Sequence, residues 1–121
     1  MLQNIGKGRR SQPGRDLQAV FAISLCTAED LPSPTIIGAQ AANELLNIKG
    51  IKASFVLTDY QGKIYVSARS IDEVNVQIIM ERMGGGGHMN TAACQMEGVG
   101  LVEAIGVLKH TIDDMLESGE I

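Results

Sequence analysis

Residues 51–70, "IKASFVLTDYQGKIYVSARS", constrain the fold more than any other stretch of the chain. Two runs, "IKASFVLTD" and "KIYVSARS", flank Tyr60-Gln61-Gly62. A short Gly-containing connection between alternating runs is a β-hairpin signal. In the second run Ile64, Val66 and Ala68 point one way, and Tyr65, Ser67 and Arg69 point the other. One side belongs to a core. The opposite side offers a hydroxyl and a guanidinium two residues apart.

The rest of the chain surrounds this hairpin with alternating strands and helices. Residues 17–26, "LQAVFAISLC", form a nearly continuous apolar run of the kind that makes a buried strand. Ser33 can cap and Pro34 suits a first helical turn; Ile37, Ala41, Leu45 and Ile48 follow at helical spacing, and Gly50 ends the helix. Asp72 is a candidate cap for a largely apolar helix from Glu73 to Met83. Four glycines and a short helix near His88 come next, with "CQMEG" as a short edge strand. Leu101, Ile105, Leu108, Ile112 and Met115 mark a final amphipathic helix, with His110 in its polar stripe. The order predicts an α/β (α+β) fold: a mixed β-sheet of about five strands packed with helices.

A chain of 121 residues is one domain's worth. Residues 17–121 carry it. Residues 1–16 lack an apolar period and read as a flexible lead-in, a linker end or a remnant foreign to the native chain, with a nucleic-acid-binding arm as the alternative. Aromatics are 3% of the chain, so the core is aliphatic. Residues 1–15 hold four basic side chains and no acid, leaving six basic against 14 acidic residues beyond them. So acidic a body is a poor general binder of nucleic acid, and any phosphate site must be local. Cys26 and Cys94 form neither a CxxC pair nor a disulfide framework and read as buried, reduced thiols. No apolar run approaches the roughly 20 residues of a membrane-spanning helix.

Gly84, Gly85, Gly86 and Gly87 stand in a row before His88. Each glycine in ordered structure costs roughly 0.5–1 kcal/mol relative to alanine, and a turn needs only one or two. Two readings stand: an anion cradle built from close-approaching backbone N–H groups, or a floppy loop between a helix and a strand. The run is neither GxGxxG nor a P-loop. His88 can donate to a phosphate oxygen, and Arg69 supplies a fork-shaped donor suited to phosphate. The two converge if the "SARS" strand neighbours the glycine loop; otherwise Arg69 is a surface arginine. No metal site and no nucleophile with a paired base is apparent.

The segment "SARSIDEVNVQIIMERMGGGGHMNTAACQ" resembles the C-terminal, DHH-associated domain of DHH-family phosphoesterases, and within them the cyclic-di-AMP phosphodiesterases of the GdpP/YybT type. The likeness extends through "AANELLNIKGIKASFVL" and "VEAIGVLKHTIDDML", roughly residues 17–117. It implies that a preceding DHH domain of the same polypeptide, outside this chain, holds two manganese ions and cleaves cyclic-di-AMP to linear pApA in bacterial signalling. It assigns Arg69 and His88 to substrate phosphate and Gly84–Gly87 to the cradle. Asn90, Ser67 and Ser70 become supporting contacts, with Asn75 a weaker candidate that can instead cap or pack. The chain alone is then expected to bind no metal or other cofactor and to be inactive. The resemblance also implies a cytoplasmic domain of a membrane-anchored protein, itself touching no membrane. Alternatives are the same domain in a DHH-family oligoribonuclease or nucleotide phosphatase, a tRNA-binding module like that of alanyl-tRNA synthetases, or a pure interaction module.

Overall fold

A computed structural model describes the backbone of residues 2–9, 20–27 and 34–121, and the side chains of residues 21–26 and 36–121. The hairpin forms as the alternation requires. Strand β3 (Ala53–Tyr60) pairs antiparallel with β4 (Lys63–Ser70), with Tyr60 opposite Lys63. Gln61 (φ 51°) and Gly62 (φ 79°) make the two-residue connection. Positive φ at both central residues is the signature of a type I′ turn, whose twist matches that of the strands.

The other described elements are β1 (Leu2–Arg9), β2 (Val20–Thr27), α1 (Pro34–Leu45), α2 (Val76–Arg82), β5 (Gly86–His88), β6 (Thr91–Glu97) and α3 (Leu101–Ser118). The strands form one mixed sheet in the order β1-β2-β3-β4-β6-β5. β2 and β3 are parallel, joined across α1, and every other neighbouring pair is antiparallel. Helix α1 lies over β2, β3 and β4 on one face of the sheet. Beneath it Ala22, Cys26, Ala41, Ala42, Leu45, Ile51 and Val56 form a small apolar cluster.

Helices α2 and α3 close the opposite face over the main core. There Phe21, Phe55, Leu57, Ile64, Val66, Ile79, Met80 and Leu108 are buried together. Phe21 and Phe55 meet edge to face, with ring centroids 6.2 Å apart. This geometry suits the positive edge and negative face of two aromatic rings. Burial of the α3 stripe Leu108, Ile112 and Met115 matches its 3.6-residue period, and Gly119 ends the helix in the left-handed region.

Four expectations need correction. Within residues 1–16, Leu2–Arg9 is a strand rather than a flexible lead-in, pairing antiparallel with β2. A peripheral strand needs only one backbone ladder, which an apolar period does not reveal. Residues 10–16, and the Ser33 cap with them, lie outside the described residues. The helix expected from Glu73 begins at Val76: Asn75, not Asp72, is its cap, accepting from the backbone N–H of Gln77 (2.9 Å) and Ile78 (3.3 Å). No helix starts near His88, because residues 86–88 pair as β5 instead. Finally, the expected edge strand is the internal strand β6, and β5 is the edge.

Candidate functional site

The register of three strands decides where Arg69 and His88 lie. Arg69 on β4 is paired with Thr91 on β6, and Thr91 with His88 on β5. All three occupy one cross-strand row and so point to one face of the sheet, the face that carries α1. Two strand spacings separate the Cα atoms of Arg69 and His88, about 10 Å. The next row on the same face joins Ser67, Ala93 and Gly86. The row after it joins Tyr65 and Gln95.

Helix α1 does not reach across β6 and β5. Thr91, Ala93 and Gln95 are therefore exposed while their neighbours Ala92 and Cys94 are buried. The uncovered half of the face forms a cleft of about 810 Å³. Its lining includes Ala39, Tyr60, Tyr65, Ser67, Arg69, Gly84, Gly85, Ala93 and Gln95. That volume falls in the ordinary range of small-ligand sites.

Arg69 is the cleft's cation. Its Nη1 donates to the carbonyl oxygen of Ala68 (2.8 Å) and, at 3.5 Å, to that of Ala92. These bonds anchor one nitrogen of the fork. No carboxylate among the described residues pairs with it. Arg82, by contrast, is bound by Asp114 and Glu120. Burial pushes the Arg69 pKa down from its ordinary value, yet a guanidinium stays charged at neutral pH. A half-buried cation without a counter-ion is electrostatically incomplete, and an anion in the cleft would complete it.

The glycine run divides between the end of α2 and the edge strand β5. The Gly84 and Gly85 amides donate to the carbonyls of Glu81 (3.0 Å) and Met80 (2.7 Å), closing the end of α2. Gly86 and Gly87 are paired in β5. Gly84 (φ 91°) is required by its backbone conformation, and two other glycines by close packing. A Cβ on Gly85 would stand 2.1 Å from the Ala93 carbonyl oxygen and 2.6 Å from Cys94 Cβ; one on Gly87 would stand 2.5 Å from the Thr91 oxygen. Gly86 differs, since a Cβ there meets nothing within 4 Å. The run thus presses a strand closely onto β6 and leaves a shelf without side chains beside the cleft.

The remaining sequence-predicted residues are placed as follows. Ser67 lines the cleft floor and is buried. His88 is exposed at the cleft's outer margin, on the Arg69 face but outside the lining residues. Ser70 and Asn90 are occupied with each other: Asn90 Nδ2 donates to Ser70 Oγ (2.9 Å), and Ser70 Oγ donates to the Val74 carbonyl oxygen (2.6 Å). They clasp the 70–75 loop to the Met89-Asn90 turn beside β5. Asn75 is spent on its cap. Sequence reasoning missed Tyr60 and Gln95 as cleft residues. Tyr65 carried a signal, since it shares the outward alternation of Ser67 and Arg69.

Among the described residues, no group of three or more His, Cys, Asp and Glu side chains is placed to hold a metal ion. The resemblance places its two manganese ions in a DHH domain outside this chain, not among these residues. Cys26 and Cys94 are both buried and not joined in a disulfide. No described helix is long and apolar enough to cross a membrane.

The DHHA1 domain family matches residues 24–118. The chain belongs to that family. It is 46% identical over 86 residues to the cyclic-di-AMP phosphodiesterase PdeA of Listeria monocytogenes serotype 1/2a, covering 70% of this chain and 13% of that protein. It is likewise 46% identical over 85 residues to the cyclic-di-AMP phosphodiesterase GdpP of Bacillus subtilis, covering 69% of this chain and 13% of that protein. The chain therefore spans about an eighth of the length of these curated relatives. Among solved structures, an exopolyphosphatase-related protein from Bacteroides fragilis superposes with TM-score 0.68 at 20% identity, covering 78% of this chain and 29% of that one. The C-Ala domain of Aquifex aeolicus alanyl-tRNA synthetase superposes with TM-score 0.59 at 17% identity, covering 77% of this chain and 90% of that one. These two likenesses concern the DHHA1 fold alone.

Proposed function

We propose that this DHHA1 domain is the substrate-holding part of a DHH-family phosphodiesterase that hydrolyses cyclic-di-AMP to linear pApA. The observation that carries this reading is Arg69: a guanidinium with no carboxylate partner among the described residues, in a cleft of nucleotide size, beside the glycine end of β5. The guanidinium takes a phosphate oxygen through its free nitrogens. Gly86 lets the ligand lie against the β5 backbone, and His88 donates from the outer margin to the same phosphate or its neighbour. A DHH domain of the same polypeptide, closing over this face, would hold the metal ions and supply the hydrolytic chemistry, while this chain holds the substrate phosphate. On this reading the domain is cytosolic, in a polypeptide anchored to the membrane elsewhere.

The test measures binding of cyclic-di-AMP and of a short linear RNA to the 121-residue chain and to Arg69→Ala by calorimetry. A charged hydrogen bond to phosphate is worth roughly 1.5–3 kcal/mol, or about 10- to 150-fold in affinity. Arg69→Ala is expected to lose that much for cyclic-di-AMP with an unchanged unfolding midpoint. The same samples incubated with manganese are expected to show no turnover. Equal affinity in the variant removes Arg69 from the site. A preference for linear RNA transfers the assignment to a DHH-family oligoribonuclease.

A further inference from the structure

The end of the cleft away from Arg69 has its own chemistry. Tyr65 lies on β4 four residues before Arg69 and points to the same face, about 13 Å away along the strand. Gln95 is its direct cross-strand partner on β6. Tyr60, at the end of β3, shares that face and sits diagonally across from Tyr65. Both of the chain's tyrosines thus line one cleft, whereas both of its phenylalanines are buried in the main core. The tyrosine rings are half-buried, and the ring contact among the described residues is the one between Phe21 and Phe55. The Gln95 side chain is exposed at the cleft wall, and no described residue takes up its amide.

Resting on the phosphate-binding reading of the cleft, we propose that Tyr65 and Gln95 form a nucleobase subsite that favours adenine. With the phosphate on Arg69 and the sugar over Ser67 and Ala93, the base reaches the Tyr65 ring. An aromatic face stacks any base. The Gln95 amide supplies what stacking lacks. Its carbonyl accepts from an exocyclic amino group and its NH2 donates to a ring nitrogen, the pair that adenine presents at N6 and N7. Guanine presents two acceptors at that edge, so one of the two bonds is lost. Tyr60 closes the far wall. Between the two ends the exposed, small side chain of Ala93 leaves room for the sugar.

The test compares 5′-AMP, 5′-GMP and ribose 5-phosphate on the 121-residue chain by titration calorimetry, with unfolding curves for every variant. AMP is expected to bind about 5- to 150-fold more tightly than ribose 5-phosphate, the contribution of one stacked base. Tyr65→Leu is expected to bring AMP down to the ribose 5-phosphate level without moving ribose 5-phosphate itself, and Tyr65→Phe to keep the stacking. Gln95→Leu, at an exposed position, is expected to erase the preference for AMP over GMP and keeps the test open if Tyr65→Leu fails to fold. AMP binding no tighter than ribose 5-phosphate in the unaltered chain overturns the subsite, as does an unaltered AMP affinity in Tyr65→Leu. Equal AMP and GMP affinities overturn the role of Gln95. Ribose 5-phosphate binding that ignores Arg69→Ala overturns the phosphate reading and the subsite with it.

Discussion

Arg69 and Cys94 show how one fold treats two reactive side chains in opposite ways. On β4, Arg69 faces the uncovered half of the α1 side and keeps its charge in the cleft. Cys94 on β6 points to the other face, where burial pushes its thiol up to about 11. The sign of the consequence follows from linkage. The folded state disfavours the thiolate, so the unfolded chain ionises first, near 9, and binds fewer protons than the folded one above that pH. Stability attributable to the neutral thiol is complete below pH 9 and declines as pH rises toward 11. Urea midpoints measured from pH 8 to 10.5 are expected to fall less steeply in Cys94→Ala than in the unaltered protein. Parallel slopes would mean that Cys94 ionises equally easily in both states.

At the scale of elements, the β5–β6 hairpin is where four glycines divide their labour. Gly85 and Gly87 serve packing, because any Cβ there collides with the β6 backbone, whereas Gly86 has open space. Gly85→Ala is expected to destabilise by at least the roughly 1–3 kcal/mol typical of overpacking, lowering the midpoint by several degrees. Gly86→Ala is expected to unfold within a degree or two of the unaltered protein, and Gly86→Val to keep the fold while weakening cyclic-di-AMP binding. Thermal unfolding of the three variants, with calorimetry on the last, decides it. Equal destabilisation at positions 85 and 86 would remove the distinction. The clasp of Ser70 with Asn90 and the Asn75 cap belong to this scale too: they hold the loop and helix that deliver the glycines to the sheet edge.

For the whole molecule, the decisive feature is that one helix covers only part of a six-stranded sheet. Helices α2 and α3 seal the opposite face, while α1 leaves β6 and β5 open beside it. The formal net charge is −4, so any attraction to an anionic ligand is local rather than global. Cyclic-di-AMP binding to the chain is therefore expected to weaken only gently with salt, as the screening of one or two local ion pairs does. A steep salt dependence, with tight tRNA binding, would favour a nucleic-acid interface over a single-phosphate site.

Much of this was legible beforehand, for reasons that differ by residue. The hairpin, its alternation and the apolar stripe of α3 were readable because side-chain period is a local property of the backbone. The family followed from the segment spanning "SARS" to the "TAACQ" that succeeds the glycines. Missing were β1 and the pairing of the glycines as a strand, since both are held by backbone ladders to distant residues. Asp72 and Asn75 are equally good caps in sequence; the helix begins at Val76, so Asn75 takes the role. The sequence by itself determined which side chains share a strand face and that Arg69 and the glycine run are the chemically unusual elements. Only the tertiary structure decided that Arg69, Thr91 and His88 fall in one row, that Tyr65 meets Gln95, and that two glycine amides are consumed by α2. Those facts depend on strand register across the sheet, which is fixed when faces bury together and not by any residue's immediate neighbours.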